Sequence, residues 1–104
     1  MLQNEGQIAF VTGAGAGIGR AIAIKFAALG ASVIVADLNE EGARETVGML
    51  PDPTGSARHA AVRLDVTKKA DVRRVMDICT RNGVWKIGFI AVQDPKDKTK
   101  KRRP

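Results

Sequence analysis

The 104-residue chain has no tyrosine, one cysteine, one histidine and one tryptophan, and aromatics make up only 4% of it. A single cysteine cannot close an intrachain disulfide, which excludes a small disulfide-stapled scaffold. Cys79 ends the apolar stripe Val72, Val75, Met76, Cys79, a pattern that predicts a buried structural thiol rather than a nucleophile. His59 has no Cys or His partner at metal-ligand spacing and reads as the exposed start of a strand. Neither an apolar run of about 18 residues nor a charged-apolar-small leader is present, so the reading is a cytoplasmic chain without a membrane span or secretory signal.

The chain has instead many aliphatic residues in alternating β-like and helical patterns. Strands are predicted at residues 7–12, 32–36 and 60–65, helices at 18–29, 40–50 and 68–81, and a weaker strand at 85–92. Ile18, Ile22, Phe26 and Leu29 recur at helical spacing, as do Ala43, Val47 and Leu50, so each helix is expected to offer one apolar face to a sheet. Such β and α alternation implies parallel strands joined by right-handed crossovers. Pro51 to Ser56 stops the second helix and forms the longest loop, and Thr67 is a candidate N-cap for the third.

Charge is placed unevenly. Of the net +6, residues 94–104 carry +4, from six Lys/Arg against two Asp. No aromatics interleave these charges, so the segment reads as a solvated, disordered tail, and nucleic-acid binding is not expected of it. The division is therefore a folded unit at 1–93 and a basic tail at 94–104.

Between the first strand and the first helix stands Thr12-Gly13-Ala14-Gly15-Ala16-Gly17-Ile18-Gly19. A strand that turns sharply into a helix aims unpartnered backbone N–H groups above the turn, where a pyrophosphate fits. Gly13 permits the tight turn, Gly17 lets backbone approach phosphate, and Gly19 lets the helix approach the strand. Gly15 reads as extra turn freedom. The apolar run Val33-Ile34-Val35-Ala36 ends in Asp37, about 20 residues on, where a dinucleotide fold needs an acid for the ribose hydroxyls. That carboxylate would repel a 2′-phosphate, so NAD is favoured over NADP. Its structural alternative is a helix-capping role. A P-loop is excluded, since no Lys-Ser or Lys-Thr follows the glycines.

The Thr12 to Gly19 motif, then Val33 to Leu38, then Leu64-Asp65-Val66-Thr67, resembles the short-chain dehydrogenase/reductase family over roughly residues 6 to 83. The resemblance implies an α/β fold: the first half of a Rossmann doubly wound parallel sheet, with strand order 3-2-1 and then 4, and an incomplete three-layer architecture. It further implies that Ile18 brings its amide to the pyrophosphate, that the Thr12 hydroxyl steadies the turn, and that Leu38, Asp65 and Val66 border the adenosine. With the helices of the second half absent, one sheet face is expected to lie uncovered and to attract a related subunit.

Members of that family also carry Asn-Asn-Ala-Gly after the fourth strand, and later a Ser and a Tyr-x-x-x-Lys pair that serve the chemistry. Here Ile90-Ala91-Val92-Gln93 stands where Asn-Asn-Ala-Gly is due, and tyrosine is absent. No catalytic residue is assigned. The expectation is an NAD-binding portion of an oxidoreductase, truncated before its catalytic residues; the alternative is a non-catalytic interaction form with a basic tail.

Overall fold

The computed structural model describes residues 2–81 and 87–91. Its elements are β1 (Ile8–Thr12), α1 (Gly17–Ala28), β2 (Ser32–Asp37), α2 (Glu40–Met49), β3 (Ala60–Arg63), α3 (Lys69–Arg81) and β4 (Ile87–Ala91). Every predicted element is present; the ends of the first three strands and of the helices lie within two residues of those expected, and of the strand expected at 85–92 residues 87–91 are described. The side chain of Cys79, the Gln93 position and the tail at 94–104 lie outside the described residues.

The four strands form one parallel sheet in the order β3-β2-β1-β4. Alternation along each strand sorts its side chains onto two faces. On one face Ala9, Val11, Val33 and Val35 pack with Ala23 and Ala27 of α1 and Ala43 of α2. On the other, Phe10 and Ala36 pack with Leu64 and with Val75 of α3, flanked by Ile34, Val62 and Val72. Phe10, Val11, Val33 and Val35 are fully buried, and each such side chain stabilises the fold by roughly 1.5–3 kcal/mol.

Two expectations about packing are corrected here. The second face is not left open at its centre, because the crossover from β3 to β4 carries α3 across it and places Val75 over Phe10 and Ala36. The buried stripe of α1 is Gly19, Ala23 and Ala27, not Ile18 to Leu29. Small residues let the helix axis approach the sheet, so Ile22 and Phe26 pack from the sides and Ile18 points outward, 64% exposed.

His59 is also better anchored than an exposed strand start. Its Nδ1 accepts from the Val33 amide at 3.0 Å, which leaves the proton on Nε2 to be donated to the Pro51 carbonyl, also at 3.0 Å. The ring thus ties the end of the α2–β3 loop to β2. Within that loop, Asp52 Oδ1 accepts from the amides of Gly55 and Ala57 at 3.0 and 3.1 Å.

Candidate functional site

Strand register brings the candidate residues to the C-terminal edge of the sheet. Thr12 pairs with Ala36 and Asp37 with Arg63, so the segments following β1, β2 and β3 emerge side by side. The Ala14 amide donates to the Ala36 carbonyl at 3.2 Å, and the Leu64 amide to the Asp37 carbonyl at 3.1 Å, extending the ladder past the strand ends. Gly13 to Ala16, Asp37 and Leu38, and Asp65 and Val66 thus share one rim. Thr12 is buried at its base.

The glycines do separate work. Gly13 and Gly17 take φ of +69° and +60°, a conformation that L side chains rarely adopt. A Cβ built on Gly17 meets nothing within 4 Å, so the space above that residue is open. A Cβ on Gly19 would collide with the Gly13 carbonyl oxygen and lie 2.7 Å from its carbon, which makes Gly19 a close-approach residue between helix and turn.

Gly15 is more than added freedom. Its amide donates to Asp37 Oδ2 at 2.9 Å, and a Cβ there would sit 2.9 Å from that carboxylate and 3.2 Å from the Ala43 nitrogen. The other Asp37 oxygen, Oδ1, accepts from the Asn39 amide at 2.9 Å. The helix-start alternative for Asp37 is therefore partly realised, but the N-cap of α2 is Asn39, whose side chain accepts from the Gly42 amide at 3.2 Å. With one backbone donor on each oxygen, the half-buried Asp37 carboxylate is fixed in orientation and keeps acceptor capacity on its outer side.

The two helix starts differ in kind. α2 has its Asn39 cap and Glu40 and Glu41 in the first turn; α1 follows Ala16, with no capping side chain and no acidic residue in the first turn. The first-turn amides of α1 and the positive end of its dipole therefore face the rim with no capping side chain or acid from the helix's own first turn, while the Asp37 carboxylate is bonded to the Gly15 amide two residues before it.

On the third segment, Asp65 Oδ1 accepts from the Thr67 hydroxyl at 2.6 Å and its amide at 3.0 Å. These two bonds hold the Asp65 carboxyl below its ordinary range. Thr67 donates its hydroxyl to Asp65, and the helix begins only at Lys69, so the position before its first residue is Lys68 and not the expected Thr67. Asp71, in the first turn of α3, accepts from the Asp65 amide at 2.8 Å and pairs with Arg74 at 2.7 Å, and both contacts lower its pKa, the amide more strongly. Leu38, after β2, and Val66, after β3, stand 54% and 55% exposed, apolar surface not spent on the core.

Sequence reasoning missed the group that fastens the turn to α2. The fully buried Thr46 donates its hydroxyl to the Ala14 carbonyl at 2.7 Å and accepts from Arg20 Nε at 2.8 Å. Arg20 Nη2 reaches the Gly15 carbonyl at 2.6 Å and the Glu45 carboxylate at 3.2 Å. A polar residue at a buried position of a short helix is the one signal the sequence carried.

Among the described residues there is no cluster of His, Cys, Asp and Glu suited to a metal, and no helix long and apolar enough to cross a membrane.

A family model described as short chain dehydrogenase matches residues 7–84. The 7alpha-hydroxysteroid dehydrogenase of Escherichia coli strain K12 is 42% identical over 91 residues, covering 88% of this chain and 33% of the relative. An alignment of that length cannot end before β4. The uncharacterized oxidoreductase YuxG of Bacillus subtilis is 46% identical over 71 residues, covering 68% of this chain and 10% of the relative. Among solved structures, hydroxysteroid dehydrogenase from Escherichia coli superposes with a TM-score of 0.66 at 37% identity, over 77% of this chain and 32% of that one. A short chain dehydrogenase/reductase from Burkholderia phymatum in complex with NAD gives 0.63 at 38% identity, over 75% and 27%. The chain thus spans about a third or less of the length of these relatives. With its glycine turn, its Asp37 rim and its β3-β2-β1-β4 sheet, the chain belongs to the short chain dehydrogenase family.

Proposed function

We propose that the C-terminal edge of the sheet binds the adenosine diphosphate part of a nicotinamide dinucleotide, and that the chain supplies the nucleotide half of an oxidoreductase. The observation that carries this reading is the uncapped start of α1 beneath the open space at Gly17. Amides of Gly17, Ile18 and Gly19 would meet the pyrophosphate, with Thr12 and Gly13 shaping the turn below. Leu38 and Val66 would flank the adenine, with Asp65 at its edge. Structural relatives solved in complex with NAD and with NADH support a nicotinamide dinucleotide as ligand.

We assign NAD rather than NADP as the preferred form. The outer side of the Asp37 carboxylate would accept from the ribose hydroxyls and repel a 2′-phosphate. When bound, the nicotinamide ring supplies a hydride acceptor or donor. This chain's own residues bind and orient; none of those on the rim is a proton donor suited to a carbonyl.

Titration calorimetry of the full chain against Gly17→Val tests the reading. Saturable NAD binding by the wild type and its loss in a still-folded Gly17→Val variant are expected. Equal binding by the two would place the nucleotide elsewhere.

A further inference from the structure

We infer that Arg20 and Thr46 are positioning residues for the glycine turn, and that through it they set the orientation of Asp37 and hence the choice of nucleotide. The inference rests on the nucleotide reading of that turn.

In a planar trans peptide the C=O of one residue and the N–H of the next point in opposite directions, so fixing the oxygen fixes the hydrogen. The Ala14–Gly15 peptide is gripped at both ends: Thr46 holds the Ala14 oxygen at 2.7 Å and Asp37 takes the Gly15 hydrogen at 2.9 Å. Arg20 holds the Gly15 oxygen at 2.6 Å, which turns the Ala16 N–H away from α2. Thr46 and Arg20 are also joined to each other at 2.8 Å, and Arg20 is tethered by Glu45 at 3.2 Å, so neither can swing without the other.

A Cβ on Gly42 would lie 2.9 Å from the Gly15 oxygen, so the turn rests directly on the backbone of α2. Without the Thr46 hydroxyl, the buried Ala14 oxygen and the Arg20 Nε would each lose a partner and the peptide would be free to rotate. Rotation moves the Gly15 N–H off Asp37 Oδ2, and the carboxylate then loses one of the two donors that fix its plane. A reoriented carboxylate accepts the ribose hydroxyls less well and opposes a 2′-phosphate less directly.

The test uses the full chain with Thr46→Val, which keeps shape and removes the hydroxyl, Thr46→Ser, which restores it, and Arg20→Met, which keeps the apolar stem. Two readouts are taken on folded samples: NAD and NADP affinity by calorimetry, and exchange of the Gly15 amide hydrogen by NMR without ligand. Thr46→Val and Arg20→Met are expected to weaken NAD binding about tenfold, to narrow the NAD-to-NADP ratio and to speed Gly15 exchange about tenfold, with Thr46→Ser within about twofold of wild type. Should Thr46→Val fail to fold, Arg20→Met carries the same comparison. Wild-type Gly15 exchange and an unchanged NAD-to-NADP ratio in the hydroxyl-free or Arg20 variant would overturn the inference. If the wild type itself binds neither nucleotide, the nucleotide reading fails, and with it the claim on nucleotide choice; Gly15 exchange then decides whether the clamp on the turn stands.

Discussion

Asp37 Oδ2 accepts a hydrogen bond from the Gly15 amide at 2.9 Å, joining the end of β2 to the turn after β1 across 22 residues. One carboxylate therefore fastens the turn and faces the rim at the same time. Asp37→Asn keeps the size but removes the charge and one acceptor oxygen. In calorimetry it is expected to weaken NAD binding and narrow the preference over NADP, each by about tenfold, the value of a charge-assisted hydrogen bond. Unchanged discrimination would remove Asp37 from the assignment of cofactor choice.

Gly19→Ala tests the packing of helix on turn. Its Cβ would strike the Gly13 carbonyl, a backbone atom with no rotamer to yield, so overpacking of at least about 1–3 kcal/mol is expected. Thermal unfolding should shift downward by about 5 °C or more for a domain of this size. The comparison variant is Gly48→Ala, where a Cβ meets nothing within 4 Å and a helix position gains from alanine.

Acid should loosen the segment around Asp65. Asp65 and Asp71 both have pKa values lowered from 3.8, Asp65 by Thr67 and Asp71 by the Asp65 amide and Arg74. A depressed folded-state pKa means that the charged form stabilises the fold above the ordinary carboxylate value, and that this contribution is lost as pH falls through the folded value. Melting temperature should fall as pH drops below about 4, and Asp71→Asn should flatten that fall while lowering stability at neutral pH. A wild-type and a variant curve of the same shape would contradict the assignment.

Much of this molecule was legible in its sequence because the signals are local. The unbroken apolar run Val33, Ile34, Val35, Ala36 announces a strand buried on both faces, and the glycine spacing announces the turn that follows β1. What stayed hidden depends on partners distant in sequence. Gly15 looks like a spare glycine until Asp37 and Ala43 are placed against it, and Thr46 looks like any helical threonine until the Ala14 oxygen arrives from 32 residues away. His59 is similar, its acceptor role set by Val33. Periodicity likewise chose the bulky stripe of α1, whereas closeness of helix and sheet selected Gly19, Ala23 and Ala27.

The chain alone is expected to turn over no alcohol or ketone with NAD or NADH. It contains no tyrosine to act as a positioned acid or base, and positioned proton transfer contributes roughly 10²–10⁴ in rate. Absorbance of NADH at fixed wavelength, followed with purified chain over a panel of carbonyl compounds, should stay flat. Turnover that survives purification and is lost on mutation of the rim would require an acid or base not recognised above.

The most direct test of the nucleotide reading is amide NMR of the labelled full chain titrated with NAD. Resonances of Gly13 to Gly19, Leu38 and Val66 are expected to shift together with one saturation curve, while those of the Pro51 to Ser56 loop at the opposite end of β3 stay in place. Absence of saturable shifts, or shifts centred away from the C-terminal edge of the sheet, would contradict the account.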